Sequence, residues 1–189
     1  MSNRTDVVQL AYIIKPGTLD AAMDFWTNVM GAGPFFRGVF PLFDQVHKGQ
    51  PTNQECEVAC GYHGDMQIEL IDTIGDAAGP YNDFLATSPE PPVGGLYHHV
   101  MLDQGDYDAL VARMLAQGCT QAFDAKNGAG DRMCYLDATA TTGGYIEIIE
   151  STFWPAVCAA MRQARAEWDG SRPVRSFSEL LGDQPALVS

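Results

Sequence analysis

The chain has 189 residues, 46% of them hydrophobic, and a formal net charge of −13 from 11 Lys and Arg against 24 Asp and Glu. That is enough apolar material for one domain with a sizeable core, or for two small fused units, while basic residues too few to form a patch exclude nucleic acid and acidic membranes as expected partners. Five scattered cysteines without a Cys-x-x-Cys pair, no run of about 18 apolar residues and no signal-like N-terminus fit a soluble protein of the reducing cytoplasm.

Val7 to Ile14 is apolar and β-branched enough to predict a strand, ended by Pro16 and Gly17. Thr18 then caps a predicted helix to about Met30, with Leu19, Ala22, Met23, Trp26 and Met30 on one stripe and Gly31 and Gly33 beyond its end. Strands are predicted at Phe35 to Phe40, Glu55 to Tyr62 and Met66 to Asp72, the last two joined by a tight turn over His63, Gly64 and Asp65. Asp44, Gln45 and His47 read as a solvated loop, with a substrate contact as the alternative. Cys56 and Cys60 share a strand face but lie too far apart along it for a disulfide.

After a Gly- and Pro-rich connector the pattern begins again. Tyr97 to Leu102 predicts a strand, Asp106 to Gln117 a helix stopped by Gly118, and strands follow near Thr120 to Asp124, Arg132 to Asp137 and Gly144 to Glu150. Strand, helix and three strands occur twice, the mark of a duplicated module. The expected layout is a first βαβββ module over 1–73, a connector over 74–95, a second βαβββ module over 96–151 and a C-terminal helical tail over 152–189. The tail's Phe153, Trp154, Trp168 and Phe177 would pack on the outside of the domain or on a second subunit, which makes a homodimer the expected assembly.

Four polar residues stand at matching places in the two halves. Gln9 and His99 sit near the start of each first strand, and Glu69 and Glu147 in the middle of each last strand. Alternation sends Ile68, Leu70, Ile146 and Ile148 to the opposite face, so both glutamates point to the inside of the sheet. An ionised carboxylate buried there costs several kcal/mol unless it is paired or binds a cation, and no Lys or Arg shares these strand faces. Taken singly, each of the four is better read as an ordinary rim or core polar group. Together, one imidazole, one amide and two carboxylates suit a divalent metal such as zinc, nickel, manganese, cobalt or iron(II). By parity His98, next to His99, faces the helix layer with Val100 and Leu102.

These features resemble the vicinal oxygen chelate superfamily, which includes glyoxalase I, methylmalonyl-CoA epimerase, extradiol dioxygenases and the bleomycin and fosfomycin resistance proteins. The likeness is carried by Val7 to Met30, Met66 to Asp72, Gly95 to Gly118 and Gly143 to Glu150. It implies an α+β fold in which two βαβββ modules form a curved mixed sheet around a metal cleft. The set Gln9, Glu69, His99 and Glu147 is similar to the ligand set of the zinc glyoxalase I branch.

The activity the resemblance implies is that of a metal-dependent lyase or isomerase/epimerase. It would move a proton α to the carbonyl of a small molecule through a metal-stabilised enolate or enediolate, with Glu147 as the base and Glu69 as the second proton carrier. The few basic residues, Arg37, Lys126 and Arg132 among them, argue against a glutathione or coenzyme A substrate. Phe35, Phe36 and Phe40, joined by Tyr97, Met101 and Tyr145 from the strands of His99 and Glu147, read either as core packing or as the wall of a cleft for an apolar or aromatic molecule. An extradiol Fe(II) dioxygenase, which wants a histidine where Gln9 stands, and a non-catalytic drug-binding protein are the alternatives.

Overall fold

The structure is a computed structural model describing residues 5–103 and 105–181, so residues 1–4, 104 and 182–189 of the expected modules and tail lie outside it. Eleven strands among the described residues form one mixed, curved sheet. They are β1 (Val7–Ile13), β2 (Phe35–Val39), β3 (Phe43–His47), β4 (Gln50–Pro51), β5 (Glu55–His63), β6 (Met66–Ile74), β7 (Leu96–Leu102), β8 (Thr120–Lys126), β9 (Arg132–Asp137), β10 (Tyr145–Ile149) and β11 (Val174–Ser176). Their spatial order is β11-β2-β5-β6-β1-β7-β10-β9-β8-β3-β4. The two halves of the repeat meet where β1 and β7 run antiparallel, and each first strand is flanked on its other side by its own last strand, in parallel.

Helices α1 (Leu19–Asn28) and α3 (Tyr107–Ala116) cover the outer face. Leu19, Ala22, Met23 and Trp26 of α1 pack on Phe35, Ala59, Ile68 and Leu70, while Tyr107 and Leu110 of α3 pack on Leu102, Cys134, Leu136 and Ile148. Each such aliphatic side chain contributes about 1.5–3 kcal/mol on burial, which holds the helices against the sheet. Asp106 caps α3 by accepting from Ala109 N at 3.1 Å. Thr18 makes no such cap on α1; its hydroxyl donates to Lys15 O instead.

Several elements depart from the sequence reading. The stretch taken as a solvated loop is β3, with Gln45 and His47 buried, and it leaves its own half of the repeat to pair with β8 at the far edge of the other. The connector holds α2 (Pro80–Thr87). Thr139–Thr142 adds a short turn of helix, α4. The tail forms α5 (Trp154–Ala166), β11 and α6 (Ser178–Leu181), and it does not lie on the outside: Val157, Met161 and Phe177 join the core of the inner face. No described helix is long and apolar enough to cross a membrane.

Candidate metal centre

Strand alternation and the pairing of β1, β6, β7 and β10 set the inner face. Gln9 lies opposite Gln67 and Met101, Ala11 opposite Glu69 and His99, and Glu147 opposite Met101. Gln9, Glu69, His99 and Glu147 therefore all point to one side. His99 Nε2 is 3.3 Å from Glu69 Oε2 and 3.2 Å from Glu147 Oε2. Ligand atoms of these three residues all lie within 4.8 Å of one another. Both modules of one chain supply them, so the trio needs no second subunit.

Gln9 lines the same cleft as the two glutamates. Its Nε2 donates to Gln67 Oε1 at 2.8 Å, which leaves Oε1 as its free end. Gln9 Oε1 and His99 Nε2 are buried atoms with no hydrogen-bond partner among the described residues. Buried polar atoms are seldom left this way, and here both belong to an N/O donor set of the kind divalent cations take, so these residues fit a metal ion. The two carboxylates sit within ion-pair reach of Nε2.

The electrostatics are those of a site waiting for positive charge. Burial by itself would push the His99 imidazole below its ordinary value, but Glu147 and Glu69 outweigh it and hold His99 up at about 9. Burial pushes Glu69 above the usual carboxylate range; His99 opposes this and the charge of Glu147 adds to it. Without a metal, then, a proton on His99 partly neutralises the two carboxylates.

His98 is not where parity put it. Ala11 pairs with His99, but the next residue, Tyr12, pairs with Tyr97, so β7 carries one extra residue at His98. Such a bulge re-aims a side chain. His98 consequently turns inward as well, fully buried, with Nδ1 2.9 Å from His99 Nδ1 and Nε2 3.3 Å from Pro80 O. Two adjacent histidines in a buried strand were the available signal; the bulge itself had none.

The bulge also reverses Tyr97, which lies across from Tyr12 and outside the cleft lining. Of the six residues expected to contact a ligand, Phe40 and Met101 line the cleft. Phe35 packs under α1, Phe36 is buried against Phe177, and Tyr145 stacks beside His98. Other lining comes from residues the sequence reading did not assign to a ligand: Leu42, Val58, Met133, Phe153 and Trp154 make apolar walls, and Tyr81 and Tyr135, with hydroxyls 2.7 Å apart, supply polar groups. The cleft has a volume of about 120 Å³.

A family model described as the Glyoxalase/Bleomycin resistance protein/Dioxygenase superfamily matches residues 8–135. The chain belongs to that superfamily. One solved structure agrees in fold. A hypothetical protein from Bacillus halodurans superposes with a TM-score of 0.52 at 12% identity, over 79% of this chain and 96% of that one. Methylmalonyl-CoA epimerases score lower: one from Streptomyces coelicolor in complex with 2-nitronate-propionyl-CoA gives 0.47 at 19% identity over 78% and 98%. One from Mycobacterium tuberculosis gives 0.48 at 16% over 77% and 87%. At these identities the likeness is one of fold alone. No curated protein matches. Within the superfamily assignment, Glu147 lies beyond the matched segment, and the distances above are what join it to the site.

Proposed function

We propose that the protein is a divalent-metal-dependent isomerase, epimerase or lyase that moves a proton next to a carbonyl group of a small, largely apolar molecule. The convergence of Glu69, His99 and Glu147 within 4.8 Å carries this reading. Gln9, Glu69, His99 and Glu147 would hold the ion, zinc, nickel, manganese, cobalt or iron(II) being suited to the donors. The ion would supply Lewis acidity, making the C–H beside a carbonyl more acidic.

The chain's own residues do the rest. Glu147 takes the proton from carbon and Glu69, kept above the usual carboxylate range by burial, carries one to or from the other side. Of the paired Tyr81 and Tyr135 hydroxyls, one proton bridges them and the other is left to donate to a substrate oxygen. Phe40, Leu42, Val58, Met133, Phe153 and Trp154 exclude water and receive the apolar part of the substrate.

Arg132 lines the cleft but is committed to Glu150 at 2.7 Å and Asp108 at 2.9 Å, which argues against a phosphate- or carboxylate-bearing substrate arm. One histidine and two carboxylates, with His98 turned to its neighbour, also fit extradiol chemistry less well than proton transfer.

The test is metal content by elemental analysis together with solvent deuterium uptake into a bound ketone. Native protein should bind about one equivalent of metal and exchange deuterium, and Glu147→Gln should keep the metal while exchange stops. Undiminished exchange in that variant would remove Glu147 as the base; a native protein that takes up no divalent metal would remove the whole reading.

A further inference from the structure

We propose that His98 is a positioning residue that holds the Nδ1 proton of the neighbouring His99, so that Nε2, facing Glu69 and Glu147, is the nitrogen left to bind a cation. The inference rests on the metal reading above and extends it to a residue that touches neither metal nor substrate.

The hydrogen bonds leave little freedom. Pro80 O only accepts, so the proton on His98 Nε2, 3.3 Å away, must point at it. The 2.9 Å contact between His98 Nδ1 and His99 Nδ1 needs one donor and one acceptor. If His98 Nδ1 were the donor, His98 would carry both protons and a full charge. Its surroundings are the rings of Tyr81, Phe84, Tyr135 and Tyr145, it is fully buried, and no carboxylate is among its hydrogen-bond partners. A charge placed there is costly, whereas on His99 it lies against two carboxylates. The proton between the rings therefore belongs to His99 Nδ1, His98 Nδ1 accepts it, and His99 Nε2 is the nitrogen that can give up its proton and turn a lone pair to a cation.

Metal-binding histidines commonly have their far N–H held by a carboxylate or a backbone carbonyl, which fixes the ring and its tautomer. Here a neutral imidazole takes that place, and it can reach only because of the bulge: on a regular strand the side chains of residues 98 and 99 would stand on opposite faces. Pro80 O, at the first turn of α2, in turn fixes the tautomer of His98. A three-member chain, Pro80 O to His98 to His99, thus connects α2 to the metal centre.

Zinc affinity, measured by competition with a chromophoric chelator, tests this in three proteins: native, His98→Phe and His98→Asn. Phenylalanine keeps a ring among the surrounding rings but removes the acceptor. Asparagine places an oxygen as many bonds from Cα as His Nδ1 and restores it. The expected result is zinc binding weakened roughly 10- to 100-fold in His98→Phe and largely recovered in His98→Asn. A loss that was merely structural would not be recovered by the smaller asparagine, and that outcome overturns the proposal, as does unchanged affinity in His98→Phe. Should His98→Phe fail to fold, long-range proton–nitrogen NMR spectra of the native zinc-loaded protein decide: His98 must appear protonated on Nε2 and His99 on Nδ1, and the reverse tautomer of His99 overturns the role. Native protein that binds no zinc in the competition assay would overturn the metal reading itself, whereas tight native binding with either failure above overturns the role of His98 alone.

Discussion

His99 Nε2 lies 3.2 Å from Glu147 Oε2, across the contact by which β7 and β10 run in parallel in the second half of the repeat. That short approach makes His99 basic, so in the proposed reading metal binding is tied to proton release. With His99 held up at about 9, the metal-free protein carries this proton at neutral pH, and an ion that takes the Nε2 lone pair must displace it. Titration of zinc by calorimetry in buffers of different ionisation enthalpy should show about one proton released near pH 7.5, declining towards none above pH 9.

The same group makes the metal-free fold sensitive to alkali. Its folded-state value is above the ordinary 6.5, so the stabilisation is fully present below pH 6.5 and is lost as pH rises through about 9. A shift of that size is worth on the order of 3 kcal/mol. Thermal melts of chelator-treated protein should fall between pH 6.5 and 9.5, and Glu147→Gln, which removes one source of the shift, should flatten the fall.

The Tyr81 and Tyr135 hydroxyls form a buried pair at 2.7 Å. Tyr135→Phe leaves the Tyr81 hydroxyl without its partner and should cost about 1–3 kcal/mol, while the double change to Phe removes both polar groups and should cost less than the single one. Both variants should lose affinity for a ligand with an acceptor oxygen. Chemical denaturation of the single and double variants measures the difference, and additive losses would contradict the pairing argument.

Gly144, just before β10, has no room for a side chain, because a Cβ would strike the carbonyl of His98 on the neighbouring strand. Gly144→Ala must spread β7 from β10 beside His99 and Glu147 and should destabilise by about 1–3 kcal/mol. For a domain of this size that is a fall in melting temperature of roughly 2–12 °C. Zinc affinity should fall with it, since His99 moves relative to Glu147.

Phe177, fully buried, packs its ring 4.8 Å from that of Phe40 and 6.2 Å from that of Trp154, two residues of the cleft wall. Phe177→Ala should cost about 3–5 kcal/mol as a core deletion. It should also loosen binding of apolar ligands while leaving metal affinity near native, because the donors are on other strands. Equal losses in both would show the tail and the metal centre to be coupled.

Much of the site was legible because it depends on local periodicity. Glu69 and Glu147 lie between pairs of aliphatic residues, and those pairs do meet the outer helices, leaving the carboxylates inside. Phe35 and Phe36 show the limit: both are apolar, yet one packs under α1 and the other on the inner core, a choice their identity does not make. Tyr81 was hidden in a connector too short and too rich in Gly and Pro to show a helical stripe, and the packing of α5 could not be read because its partners are strands distant in the chain.

Sequence alone determined the main succession of strand, helix and strands in each half, and that Gln9, Glu69, His99 and Glu147 stand at matching places and face one side, since hydrophobic alternation and matched position are properties of a short stretch of chain. Tertiary structure alone decided that His98 turns inward, that β3 joins the opposite edge of the sheet, and that the C-terminal tail walls the cleft. A bulge, an added edge strand and a docked helix are each stabilised by partners remote in sequence, so the energies that select them exist only once the sheet has formed.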